Sequence, residues 1–138
     1  MFRTLSSSLA KWMLVLICVA SFSLMLWAAR TDSAIDDELA HIPAGYGYVH
    51  NLSYDLNPEH PPLVKALAML PVLFLHPDFP TQSSAWTTDV NGQWSMGAQF
   101  LYGTKAADQP INNANEIIQT ARIVPILLTI LTKTISLI

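Results

Sequence analysis

The chain has 138 residues, 51% of them hydrophobic and 12% charged, with a mean hydropathy of +0.35 and a formal net charge of −3. That balance is too apolar for an ordinary soluble domain, and without a basic patch it excludes a nucleic-acid binder. Cys18 is the only cysteine, so an intrachain disulfide is excluded as well.

Residues 1–11 form a short polar tail containing Arg3 and Lys11. Residues 12–29 follow without a single charge, bracketed by Lys11 and Arg30. At 1.5 Å per residue this run is about 27 Å long as a helix, close to the thickness of a hydrocarbon core. No acid precedes Asp32, whereas ten acids face only Lys65 and Lys105 between Arg30 and Arg122. The positive-inside rule therefore predicts a cytoplasmic N-terminus and an acidic segment outside. A cleaved signal peptide is the rival reading, but the run exceeds a usual apolar leader, and Leu26 or Trp27 is too bulky before a cleavage site. Cys18 reads as a small hydrophobe within the span.

After Arg30 the helix either continues or restarts at Ser33 with Asp36 at its third position. Ile35, Leu39 and Ile42 recur at helical spacing, and Pro43, Gly45 and Gly47 then weaken the pattern. Residues 51–58 read as a turn-rich connector. Pro61 and Pro62 suit a helix start, and Leu63, Leu67, Leu70 and Phe74 line one face after it. This run over 61–75 is too short to span and predicts an interfacial helix, with the core helix of a small soluble domain as the alternative. Residues 77–112 carry many prolines and glycines and read as loop. Trp86, Trp94, Phe100 and Tyr102 suit either a membrane boundary or packing. Asn113 and Glu116 predict a helix cap, leading through Ile117, Ile118 and Arg122 into a second apolar stretch over 123–138. That stretch has Lys133 near its end and reads as a span begun but not finished, as in a fragment of a longer protein.

The expected fold is thus an all-α membrane protein in a single unit. A tail (1–11) and a transmembrane helix (12–29) come first. An extracytoplasmic loop with juxtamembrane amphipathic helices (30–121) precedes an incomplete second span (122–138).

An acidic cluster beside a membrane is costly to desolvate unless it has a task. Here Asp37-Glu38 follows a span, and Glu59-His60-Pro61-Pro62-Leu63 with Lys65 opens the juxtamembrane helix. This order resembles the GT-C glycosyltransferases, in the branch of protein O-mannosyltransferases and lipid A aminoarabinose transferases. Gln93-Trp94, Phe100-Leu101-Tyr102-Gly103 and Arg122-Ile123-Val124-Pro125 are weaker echoes, and the likeness is to the N-terminal portion only.

The resemblance implies transfer of a sugar from a polyprenyl-phosphate carrier to an acceptor at the outer face of a bacterial inner (plasma) membrane. It assigns catalysis to Asp37, as general base, and Glu38. Glu59, His60 and Lys65 become substrate-binding residues, with a divalent metal possible through Glu59. It further implies partners in membrane lipid and in missing C-terminal helices or another membrane subunit, a multi-pass full-length form, and an isolated chain without turnover.

Blander readings stand beside these. An acidic run after a helix is most often a solvated face. His41, His50 and His60 match no compact metal signature and read as scattered loop histidines. Asn51-Leu52-Ser53 is a glycosylation triplet of a kind frequent by chance. The alternative functions are a non-catalytic membrane-anchored protein whose acidic loop binds a partner, and a secreted domain behind a signal peptide.

Overall fold

The computed structural model describes residues 7–105 and 108–135. It is 71% helical and has no strand among the described residues. Among the described residues the α-helices are, in order, α1 (Ser7–Thr31), α2 (Asp36–Tyr46), α3 (Pro62–Met69), α4 (Ser84–Thr87), α5 (Gln93–Tyr102) and α6 (Ala114–Ile135). A wide π-type turn (Gly47–Asn51) extends α2, and a 3₁₀ turn (Pro71–Leu75) follows α3. The chain divides into two compact units. One joins residues up to Asp32 with those from Ile126 onward, and the other is Ser33–Pro125.

In the first unit, α1 is long and apolar enough to cross a membrane. Its large side chains are exposed, as with Trp12, Leu16 and Trp27, the pattern of a helix meant for lipid. Cys18 Sγ lies 3.9 Å from the hydroxyl of Thr134 on α6. Helix α6 is also long and apolar enough for a span, although it starts well before the apolar stretch.

The second unit has a core of its own. Helix α2 restarts after a break at residues 32–35, so the first helix does not continue through the acidic cluster. Its N-cap is Ile35 rather than Ser33. The Ile35 N–H donates to the Glu38 carboxylate at 3.1 Å, which supplies half of a capping box without a hydroxyl. Asp36, Asp37 and Glu38 form the first turn, where the helix dipole favours negative charge.

Pro43, Gly45 and Gly47 do not end this helix; they let other elements approach it. Pro43 has no N–H for the Leu39 carbonyl, and α5 packs Gly97 against that oxygen, where a Cβ would come to 1.8 Å. At Gly45 a Cβ would meet the Lys65 carbonyl of α3 at 2.5 Å. Helix α3 starts at the proline pair as expected. The apolar run then breaks after Met69, and Pro71 opens the 3₁₀ turn in place of one continuous helix.

The stretch expected as loop contains α4 and α5, and α5 supplies core residues. Met96, Phe100 and Leu101 are fully buried: Phe100 and Leu101 cluster with Ile42 and Tyr46 of α2, Met69 of α3, and Ile117 and Ile118 of α6, and Met96 clusters with Ala44, Tyr48, Leu56 and Ala85. Phe79 and Phe100 flank Tyr46 with ring centroids 5.2 Å away, and Trp86 meets Phe79 edge-on. Trp86 and Phe100 therefore pack inward, whereas Trp94 and Tyr102 are exposed. Helix α6 is capped as expected, with Asn113 Oδ1 accepting the Glu116 N–H at 3.3 Å.

Candidate functional site

The connector between the π-type turn and α3 turns inward at Asn57, which has a left-handed backbone (φ 53°) and is 2% exposed. A buried amide must find partners for every polar atom. The Asn57 side-chain oxygen accepts from Lys65 Nζ and lies 3.2 Å from His41 Nδ1. Its nitrogen donates to Gln93 Oε1 and to Glu59 Oε1. Its backbone N–H donates to Asn91 Oδ1 at 2.8 Å. One residue thus ties α2, α3, α5 and its own loop together.

Lys65 is the cation at the centre of this network and is 7% exposed. Its ammonium donates to Tyr48 Oη, to the carbonyls of Asn57 and His60 at 3.0 Å each, and to the Asn57 amide oxygen. Four oxygens surround three protons, so the charge is solvated by the protein itself. Burial lowers the Lys65 pKa, and the charge of Glu59 acts in the opposite sense. Tyr48 in turn donates to the Leu56 carbonyl at 2.7 Å, and burial followed by Glu59 raises its pKa.

Glu59 is exposed, yet its carboxylate is held by amides: Gln93 Nε2 at 2.8 Å, Asn91 Nδ2 at 3.2 Å, and Asn57 Nδ2 at 3.4 Å. Its own backbone N–H and the Gln93 amide keep its pKa below the ordinary carboxylate value. These N–H donors favour the anionic form of the carboxylate. Among the described residues, no three His, Cys, Asp or Glu side chains gather in a metal-binding group.

On α2 the acidic pair divides. Glu38 is half-buried and makes a bidentate ion pair with Arg122, while Asp37 is exposed. His41 stands one turn beyond Asp37 and meets His60 edge-on, ring centroids 5.2 Å apart. Burial and then the Lys65 charge lower the His41 pKa; Asn57 and Asp37 oppose them. A cavity of about 160 Å³ opens here within the second unit. Glu38, His41, Lys65 and Arg122 line it together with Val64, Met69, Ala121 and Pro125, and the surface they present to it is almost wholly apolar.

No protein-family model, curated protein or solved structure matches the chain.

Of the residues singled out in the sequence, Glu38 and Lys65 line the cavity, and Glu59 and His60 belong to the network beside it. Asp37 is adjacent to Glu38 on the exposed first turn of α2. The sequence reading missed Asn57, Asn91 and Tyr48, noted Gln93 only within a weak family echo, and set His41 aside. A polar residue between Leu56 and Pro58, just before the Glu-His-Pro-Pro run, was the available signal for Asn57.

Proposed function

We propose that this chain is the N-terminal part of an integral membrane glycosyltransferase. On this reading it moves a sugar from a polyprenyl-phosphate donor to an acceptor hydroxyl at the outer face of the inner (plasma) membrane. The N-terminus is cytoplasmic and residues 30–121 lie outside. Asp37 takes the acceptor proton as the oxygen attacks the anomeric carbon, and the bond from that carbon to the phosphate oxygen breaks with its electron pair leaving on the phosphate.

The observation that carries this reading is the division of labour within the acidic pair. Glu38 is committed to Arg122 and to the Ile35 N–H, while its neighbour Asp37 is exposed on the first turn of a helix whose next turn lines the cavity. The cavity surface is almost wholly apolar although Glu38, Lys65 and Arg122 stand around it, which suits the hydrocarbon part of the donor. Lys65 contributes its field, because its protons are engaged within the protein. His60 is exposed beside it.

The test is a full-length enzyme carrying this segment, purified and assayed for transfer. Asp37→Asn keeps shape and hydrogen bonding but removes the base, and should lower turnover about 10²–10⁴-fold while the protein stays inserted. Undiminished transfer by that variant rules the mechanism out. The 138-residue chain alone should show no turnover.

A further inference from the structure

Asn91 and Gly92 join α4 to α5, and the fold fixes both identities. Asn91 has a left-handed backbone (φ 53°), which asparagine tolerates better than most residues. Its side chain is used at both ends. Oδ1 accepts the Asn57 N–H at 2.8 Å, and Nδ2 donates to the two Glu59 carboxylate oxygens at 3.3 and 3.2 Å. Gly92 caps the start of α5, where a Cβ would come to 2.6 Å from the Ala85 carbonyl oxygen and 3.0 Å from Ala85 Cα. Hydrogen bonding at one position and packing at the next thus place an asparagine directly before a glycine.

That pair is chemically labile, because glycine has no side chain to crowd its own nitrogen. The Gly92 nitrogen attacks Asn91 Cγ as it gives up its proton, the Cγ–Nδ2 bond breaks, and Nδ2 leaves as ammonia. Water then opens the five-membered imide at either carbonyl. One product is an ordinary aspartate; in the other the main chain runs through Cγ. The remaining asparagines are Asn51, Asn57, Asn112, Asn113 and Asn115, and none precedes a glycine. Asn57 precedes Pro58, which has no N–H to give up. Val90 is 98% exposed, and Asn91 and Gly92 are half-buried, so water reaches the turn.

We propose that Asn91-Gly92 is a site of spontaneous deamidation, restrained in the fold by the hydrogen bonds of Asn91 to Glu59 and Asn57. Ring closure draws Cγ onto the backbone nitrogen and away from partners on another segment, so it waits on local opening of the turn. Either product removes the N–H groups that Asn91 gives Glu59 and sets a second carboxylate beside the first, where like charges repel. Ageing thereby changes the charge at the rim of the Asn57 network, with water as the only co-reactant. This holds whether or not the chain transfers a sugar.

The test incubates the full chain in lipid nanodiscs at pH 7.5 and follows the exchange of amide for acid at each asparagine by digestion and mass spectrometry. Asn91 should be the first site to convert, giving both products. In the same chain unfolded by urea and detergent, conversion at Asn91 should be about tenfold faster or more, as for a reaction that waits on opening. Glu59→Ala should speed it several-fold in the folded chain; if that variant does not fold, the wild-type comparison decides. Earlier conversion at another asparagine, equal rates folded and unfolded, or no acceleration in a folded Glu59→Ala overturns the proposal.

Discussion

Arg122 grips Glu38 across 84 residues of sequence, with Nε 2.7 Å from Oε1 and a terminal nitrogen 2.7 Å from Oε2. Arg122 also donates to the Ser33 carbonyl at 2.9 Å, so one side chain of α6 fixes both the entry to α2 and its first turn. The two side chains are only 15% and 19% exposed, which sets this pair apart from the Lys105–Asp78 bridge at 55% and 63%. Paired charges with a two-pronged geometry and little water are strong when whole and costly when halved.

Glu38→Gln and Arg122→Gln should each destabilise the Ser33–Pro125 unit by about 2 kcal/mol. The double variant should lose less than the sum, since neither charge is then left alone. Lys105→Gln should cost less than about 1 kcal/mol, as exposed pairs do. Denaturant unfolding of the reconstituted chain gives all of these values. Additive losses at Glu38 and Arg122 would show that the pair is not coupled.

A second test concerns the approach of α5 to α2. The Leu39 carbonyl, deprived of its helical partner by Pro43, stands where a side chain on Gly97 would have to go. Gly97→Ala should therefore separate the helices and cost roughly 3 kcal/mol or more. Gly47→Ala meets only the edge of the Trp86 ring at 3.1 Å, and should stay within about 1 kcal/mol of wild type. Similar stability of the two variants would remove the argument for close helix contact at Gly97.

The third concerns the apolar residues that α3 and the following 3₁₀ turn leave exposed. Leu63 is 67% and Phe74 83% exposed, while Lys65, Ala68, Met69 and Val72 turn inward. The interfacial helix expected from the sequence needs this face against lipid. Leu63→Asp and Phe74→Asp should leave unfolding in detergent nearly unchanged, whereas Met69→Asp, at a 1% exposed position, should cost about 4 kcal/mol. In bilayers, a spin label at Phe74 in a Cys18→Ser background should meet oxygen more readily than a water-soluble nickel chelate. The reverse preference would put this face in water.

The parts legible in the sequence were those governed by local rules. An uncharged run of spanning length, a proline pair at a helix start and an Asn–Glu cap each act within a few residues, and each has its counterpart in α1, α3 and α6. The misread parts depend on distant neighbours. Gly97 resembled loop punctuation because the Leu39 oxygen it accommodates is 58 positions away by number. Ser33 resembled a cap because Glu38 could not be seen reaching back to Ile35. At the site, the acids and Lys65 stood out by type, but Asn57 is a lone amide whose importance comes from meeting Lys65, His41, Glu59 and Gln93 at once. Composition does not encode that convergence.

The last prediction is acid sensitivity in two stages. His41 titrates below its ordinary value of 6.5 in the fold, chiefly because it is buried beside Lys65. As pH falls through 6.5, the unfolded chain takes up this proton first, so stability is lost until the folded ring titrates too. Glu59 likewise titrates below 4.5 in the fold, because its own backbone N–H and the Gln93 amide favour the carboxylate. Its contribution is complete above 4.5 and is lost as pH falls through that value toward the folded one. Unfolding midpoints measured from pH 8 to pH 3 should therefore decline in two steps. Glu59→Gln should lower stability at neutral pH and remove the lower step. His41→Gln should remove the upper step and leave the lower one. A midpoint that stays flat between pH 7 and pH 5 in the wild type would mean that His41 is not held toward its neutral form.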